Sequence, residues 1–201
     1  MSKTANIVIF GPGLVGQALI DSLNNAIERY RSPLKVVGLV DSSAALINQD
    51  GFTAETLNEL MTSKRQGISF AQHDKSTVVS MVERLYSPDT ILVDTTDANT
   101  LYLTLLNGIS NGCSVTMSNK KNLVIPWKMA ETFFTSPRVR FESTVCAGTP
   151  VVAMLRRLSN SLDEIYSVEG CLSGTLNYIC SQLDDGTAMA KAVEDAHDFG
   201  Y

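Results

Sequence analysis

The first strong hydrophobic pattern is a short apolar run, Ile7-Val8-Ile9-Phe10, which meets Gly11-Pro12-Gly13-Leu14-Val15-Gly16 and then gives way to helical spacing through Leu19, Ile20 and Leu23. This pattern predicts a strand, a glycine turn and a helix. A second apolar run, Lys35 to Val40, ends in Asp41 and reads as the next strand. Downstream, Thr53 can cap a helix carrying Leu57 and Leu60, and Val78 to Leu85 continues as another helical run. Thr90-Ile91-Leu92-Val93-Asp94 predicts a buried strand. Leu101, Leu105 and Ile109 share a helix face that stops near Gly112, and Cys113 to Met117 predicts a further strand. Alternation of strand and helix in this order is that of an α/β fold, a Rossmann doubly wound parallel sheet.

The glycine turn carries the first candidate chemistry. Gly11 permits a tight turn, Gly13 lets the backbone approach a pyrophosphate, and Gly16 brings helix and strand together. Leu14 and Val15 open the helix whose N-terminus then faces the phosphates. Asp41 follows somewhat later than the usual interval of about 20 residues for the acid that bonds a ribose 2′-hydroxyl, and the insertion from Arg29 to Pro33 can absorb the difference. A carboxylate there repels a 2′-phosphate, and Ser42 and Ser43 bring no positive charge, so NAD is favoured over NADP. The alternative for Asp41 is a plain turn cap.

Ligands of open α/β sheets sit outside the carboxyl ends of the strands. The strand at 90–94 runs into Asp94-Thr95-Thr96-Asp97, and the next into Ser118-Asn119-Lys120-Lys121, so both tips face the nicotinamide end of a dinucleotide. Each also has a bland reading: Thr95 or Thr96 can cap a helix, and Lys120 can be a solvated lysine beside Lys121.

Composition narrows the class of protein. The 201 residues are 44% hydrophobic and 18% charged with net charge −5, a balance that disfavours a nucleic-acid surface. No apolar run approaches the roughly 20 residues of a membrane helix, and no signal peptide precedes the first strand, so a cytoplasmic location is expected. Cys113, Cys146, Cys171 and Cys180 lack zinc-ligand spacing and read as buried thiols. His73 and His197 form no pair for a metal or proton relay, and His197 falls on a helix surface.

Two later segments, Phe141-Glu142-Ser143-Thr144-Val145-Cys146-Ala147-Gly148-Thr149-Pro150 and Ser173-Gly174-Thr175-Leu176-Asn177-Tyr178-Ile179, resemble the signature segments of homoserine dehydrogenases. With the glycine turn, Thr95-Thr96 and Ser118-Asn119-Lys120-Lys121, they span nearly the whole chain in the family's order. Departures are mild: Cys146 and Thr149 replace the more usual glycine and leucine, and Ser118 replaces alanine or proline.

The resemblance implies reversible, NAD(P)-dependent hydride transfer between L-homoserine and L-aspartate 4-semialdehyde, in the route to threonine and methionine. It places the family's catalytic strand-end lysine on Lys120, near nicotinamide and substrate carbonyl, and substrate contacts on Gly174, Thr175 and Tyr201. It surrounds a monovalent cation, usually sodium, with Glu142 and the carbonyls of Val145, Ala147 and Thr149. Glu142 can equally be a satisfied carboxylate near a domain junction. The implied organisation is a dinucleotide-binding domain over 1–148 and, over 149–201, the first part of an α+β substrate and dimerisation domain, with a homodimer expected at full length.

In that second part Glu164 to Leu172 reads as a strand, Ser173 to Leu183 as a helix, and Thr187 to Phe199 as a helix with Gly200 as its C-cap. Ile179, Leu183, Val193 and Phe199 are expected core or subunit contacts. Family members continue past a Gly-Tyr like Gly200-Tyr201 into segments that supply a substrate-binding Glu and Asp and the principal catalytic Lys. The residues to Tyr201 are therefore expected to be a truncated, catalytically incomplete part. Other readings are another amino-acid-pathway reductase on the same fold and a non-catalytic dinucleotide-binding module.

Overall fold

The computed structural model describes residues 4–30, 33–42, 44–70 and 73–200. The chain divides into two compact units, Met1–Arg140 and Phe141–Tyr201, a division that falls ahead of the limit at residue 148 expected from the sequence.

The first unit is a six-stranded sheet in the order β3-β2-β1-β4-β5-β6. Its strands are β1 (Ala5–Phe10), β2 (Leu34–Val40), β3 (Ala45–Ile47), β4 (Thr90–Asp94), β5 (Ser114–Met117) and β6 (Val139–Arg140). All neighbours pair in parallel except β2 and β3. The sheet is thus mixed at one edge. The Asp41 N–H donates to the Ala44 carbonyl at 2.7 Å, and a link this tight permits only a hairpin, since a parallel return needs a crossover of a dozen or more residues. The order reverses at β1, with β2 on one side and β4 on the other, which is the switch point where dinucleotides bind in this class of sheet.

The strands form because their apolar runs can be covered on both faces. The last four residues of β1 and the last five of β2 are buried, as expected for parallel strands between helical layers. One core face gathers Ile7, Ile9, Val36, Leu39 and Val93 with Ile20 of α1 (Leu14–Tyr30) and Leu57 and Met61 of α2 (Ala54–Arg65). Thr53 caps α2 by accepting from the Thr56 N–H, as its sequence predicts. The helical run expected at 78–85 begins earlier, as α3 (Lys75–Glu83), because Asp74 accepts the Thr77 N–H and sets the N-terminus. Two helices complete the unit, α4 (Tyr102–Ser110) and α5 (Trp127–Thr135). Gly108 lets α4 lie directly on β4: a Cβ at this position would overlap the Leu92 Cδ1 atom.

The second unit holds α6 (Val151–Asn160), α7 (Gly174–Asp184) and α8 (Met189–Asp198). Ser173 caps α7 by accepting the Leu176 N–H at 3.3 Å, and Gly200 follows α8 at a φ of 80°, the left-handed closure expected of it. Tyr178 meets Phe199 edge-on at 5.8 Å, and Ala192 and Ala196 are buried. Residues 164–172, expected as a strand, form no regular element. Apolar side chains give such a segment a face, but a strand also needs a partner for its N–H and C=O groups, and no strand of the second unit is present among the described residues. The thiols differ from expectation too: Cys113 is buried, Cys146 half-buried, and Cys171 and Cys180 are exposed, the last two because they flank and occupy an α7 with no buried residue. Leu183, Val193 and Phe199 are exposed within this unit, as is His197. No described helix is long and apolar enough to cross a membrane.

Gly108→Ala should destabilise the first unit by about 1–3 kcal/mol, the usual result of forcing a methyl group into a filled core. Chemical denaturation of the variant beside the wild type measures it, and an unchanged midpoint would mean that α4 does not lie this close to β4.

Candidate functional site

The turn between β1 and α1 is held open by its own geometry. Gly11 has a φ of 78°, and a Cβ there would sit 2.8 Å from the Thr96 Cα. At Gly16 a Cβ would meet the Gly11 carbonyl oxygen at 2.5 Å. The Thr95 hydroxyl lies 2.8 Å from both the Phe10 and Gly11 carbonyl oxygens, so the tip of β4 fastens the turn. Gly13 is different in kind, because nothing lies within 4 Å of where its Cβ would be. Beside that open space the N–H groups of Leu14, Val15 and Gly16 have no acceptor among the described residues, while Gln17 already donates to the Gly13 carbonyl at 2.8 Å. Three unpaired N–H groups at the start of a 17-residue helix form an anion-binding end.

A cleft of about 740 Å³ adjoins this turn, lined by Gly11, Gly13, Asp41, Thr95 and Thr96 among others. Five of the sequence-predicted positions are thereby brought to one place. Leu14, Val15 and Gly16 stand at its rim through the helix they open. Val78, Val79 and Val82 of α3 and Ala98 and Leu101 before α4 give it an apolar wall, suited to a flat aromatic ring.

Two basic side chains in the cleft were not expected from the sequence, Lys64 and Lys75. Lys64 forms an ion pair with the Asp41 carboxylate and lies 5.2 Å over the Phe70 ring. A sequence signal for it existed: Lys64 continues the Leu57, Met61 stripe of α2, the buried face of that helix. Burial acts to raise the Asp41 carboxyl. The Lys64 hydrogen bond, the Ser42 N–H and the Lys64 charge outweigh it and hold the group below its ordinary value.

At the tips of β4 and β5 a polar network is buried. Both Asp94 and Asn122 have no exposed surface. The Asp94 carboxylate accepts from the Thr96 N–H at 3.0 Å, the Thr96 hydroxyl at 2.7 Å and the Asn122 amide at 2.8 Å. Burial pushes the Asp94 carboxyl up, against these hydrogen bonds. The network separates the two lysines. Lys121 pairs with Asp97 at 2.7 Å, whereas Lys120 is exposed and its ammonium has no partner among the described residues.

In the second unit Glu142 accepts the Val152 N–H at 3.0 Å and the Ala153 N–H at 2.7 Å, so it serves α6 as a carboxylate clamp on the first turn. The loop after it bends through positive φ at Cys146 (55°) and Ala147 (48°). The Thr149 carbonyl accepts the Val151 N–H, and those of Val145 and Ala147 receive no hydrogen bond among the described residues. Gly174 and Thr175 form the first turn of α7. Tyr201 lies outside the described residues.

Sheet order and glycine turn define a class, the dinucleotide-binding domain of an oxidoreductase, and residues 1–115 match the family model for Glutamate/Leucine/Phenylalanine/Valine dehydrogenase. Residues 150–201 match the model for homoserine dehydrogenase, and proteins of that name align over the whole chain. It is 29% identical over 211 residues to the chloroplastic bifunctional aspartokinase/homoserine dehydrogenase 2 of Zea mays, covering 100% of this chain and 23% of that protein. It is 26% identical over 208 residues to the homoserine dehydrogenase of Saccharomyces cerevisiae, covering 100% of this chain and 57% of that protein. The chain thus spans about a quarter of the maize relative and little more than half of the yeast one. Among solved structures, the homoserine dehydrogenase of Thermoplasma acidophilum superposes with a TM-score of 0.71 at 23% identity, over 98% of this chain and 60% of that one. A hyperthermophilic archaeal homoserine dehydrogenase in complex with NADPH gives 0.73 at 23%, over 98% and 61%. These likenesses establish a shared fold.

The lowered Asp41 carboxyl sets a pH dependence. Stability from the Asp41–Lys64 pair is present above the unfolded aspartate value of 3.8 and is lost as pH falls through that value toward the lower folded one. Lys64→Met should be less stable than wild type at neutral pH, modestly because water screens the pair, and the two should converge in acid. Denaturant unfolding across pH measures this, and a difference that persists below the lowered value would assign the loss to packing instead.

Proposed function

We propose that this chain is the cofactor half and the beginning of the substrate domain of a cytoplasmic, homodimeric homoserine dehydrogenase, which exchanges a hydride between L-homoserine and L-aspartate 4-semialdehyde through NAD(P). The observation that carries the reading is the open Gly13 with the three unpaired N–H groups of Leu14, Val15 and Gly16, at the switch point of the sheet. A pyrophosphate is the anion such an end takes. Asp41 then meets the adenosine ribose, the valine wall of α3 takes the adenine, and Thr95 and Thr96 support the nicotinamide side.

For the chemistry, Lys120 offers an unpaired ammonium at the end of β5, able to stabilise the alkoxide that develops as hydride leaves or arrives. The N-terminus of α7, with Gly174 and Thr175, suits the substrate carboxylate, and Tyr201 adds a further contact by family resemblance. Aspartate semialdehyde gains the hydride at its aldehyde carbon and a proton at oxygen, and homoserine loses both in reverse. The family resemblance assigns a sodium ion to Glu142 and the carbonyls of Val145, Ala147 and Thr149, and of these the Val145 and Ala147 carbonyls receive no hydrogen bond among the described residues. The ion would brace the loop before α6. Exposed apolar side chains of the second unit, Leu162 and Tyr166 among them, give a second copy something to cover.

NAD is the favoured cofactor on the strength of Asp41, but Lys64 narrows the margin by neutralising the carboxylate that would repel a 2′-phosphate. The archaeal relative is in complex with NADPH. Lys64→Ala should raise the ratio of kcat/KM for NAD over NADP in the full-length protein, and a fall in that ratio would remove Lys64 from cofactor choice.

Homoserine-dependent reduction of NAD or NADP by the full-length protein tests the function itself. Gly13→Val should abolish dinucleotide binding in a calorimetric titration while leaving the melting temperature near wild type, because the folded chain has room for the side chain and the ligand does not. Unchanged affinity in the folded variant would displace the pyrophosphate from this turn.

A further inference from the structure

We propose that the buried Asp94–Asn122 pair positions Lys120, acting as a strut that sets where its ammonium can reach; this rests on the reading of Lys120 as the charge-stabilising group. Asp94 ends β4 and Asn122 lies in the 3-10 turn Lys121–Leu123 that follows β5, and neither has exposed surface. A buried carboxylate and a buried amide are costly unless their hydrogen bonds are made, and an apolar pair would fill the same space. What the polar pair supplies is direction.

Each residue flanking Lys120 is tied to the β4 side of the sheet. The Ser118 N–H donates to the Asp94 carbonyl at 2.9 Å. The Asn119 amide donates to the Thr96 hydroxyl at 3.1 Å and the Ala98 carbonyl at 2.6 Å, and its oxygen accepts the Lys121 N–H at 2.9 Å. The Asn122 amide donates to Asp94 at 2.8 Å and to Ala98 at 3.2 Å, and its oxygen accepts the Tyr102 N–H at 3.2 Å. Asn122 thereby caps α4, which has no side-chain cap of its own at Leu101. The backbone on both sides of Lys120 is fixed to the same tip that carries Thr95 and the glycine turn, and only its side chain is free. A lysine ammonium on a flexible stem loses reach and orientation if its backbone drifts, and small misplacements of a catalytic group have large kinetic effects.

The test is a cycle in the full-length protein with Asn122→Ala, Lys120→Ala and the double variant. Asn122→Ala should lower kcat about tenfold or more, leave KM for the dinucleotide nearly unchanged, and cost nothing further once Lys120 is already alanine. An equal loss in both backgrounds, or no loss, overturns the proposal. Asn122→Ser keeps a hydroxyl but lacks the amide that bonds Asp94, and it repeats the test should the alanine variant fail to fold. A readout independent of turnover is acylation of Lys120 by an amine-reactive ester, mapped by peptide mass spectrometry with and without NAD. NAD should protect Lys120 in the wild type and not in the Asn122 variants; equal protection in both, or none in the wild type, overturns the strut. Wild-type kcat in Lys120→Ala, with the protection pattern intact, would instead overturn the catalytic role of Lys120 alone.

Discussion

The carboxyl edge of the sheet depends on one close contact, that of the Gly11 turn against the tip of β4. The left-handed φ at Gly11, where a Cβ would come within 2.8 Å of the Thr96 Cα, leaves no room for a side chain, and the Thr95 hydroxyl reaches both carbonyls of the turn. The contact aims the first turn of α1 across the switch point. The unpaired N–H groups of Leu14, Val15 and Gly16 then converge where the cleft is open, at Gly13. An anion there gains three donors and the favourable end of a helix dipole without further rearrangement.

From the same tip a second set of bonds runs the other way. Thr96 donates to Asp94, Asn119 donates to Thr96, and Asn122 joins Asp94 to α4. The N-terminal end of α1 and the lysine-bearing loop share β4 as their common support. Their separation along the cleft follows from short, buried or half-buried side chains hydrogen-bonded to one strand tip, the kind of support by which a rigid scaffold holds groups in register.

Elements whose signals are local were legible in the sequence. The β1 run, the Thr53 cap of α2, the helix α7 and the Gly200 closure each need only neighbouring residues to form. What depends on distant partners was not. The three-residue β3 exists because the Asp41 to Ala44 turn folds it onto β2, and 164–172 has the apolar character of a strand without a ladder to join. The site divides along the same line. Gly11, Gly13, Asp41 and Thr95 were visible by spacing. Lys64 was hidden because its significance lies in a carboxylate remote in sequence and close in space, although its place on the buried stripe of α2 marked it as unusual. The family resemblance placed the strand-end lysine on Lys120, and what spacing alone did not reveal is that its neighbour Lys121 is tied to Asp97 while Lys120 is exposed.

A crystal structure of the full-length protein with NAD bound would test the central claim most directly. The account predicts the pyrophosphate within hydrogen-bond distance of the Leu14, Val15 and Gly16 N–H groups, the adenosine ribose at Asp41, and the nicotinamide on the Thr95 and Lys120 side of the cleft. A dinucleotide bound in another place, or in this cleft with its phosphates turned away from α1, would contradict it.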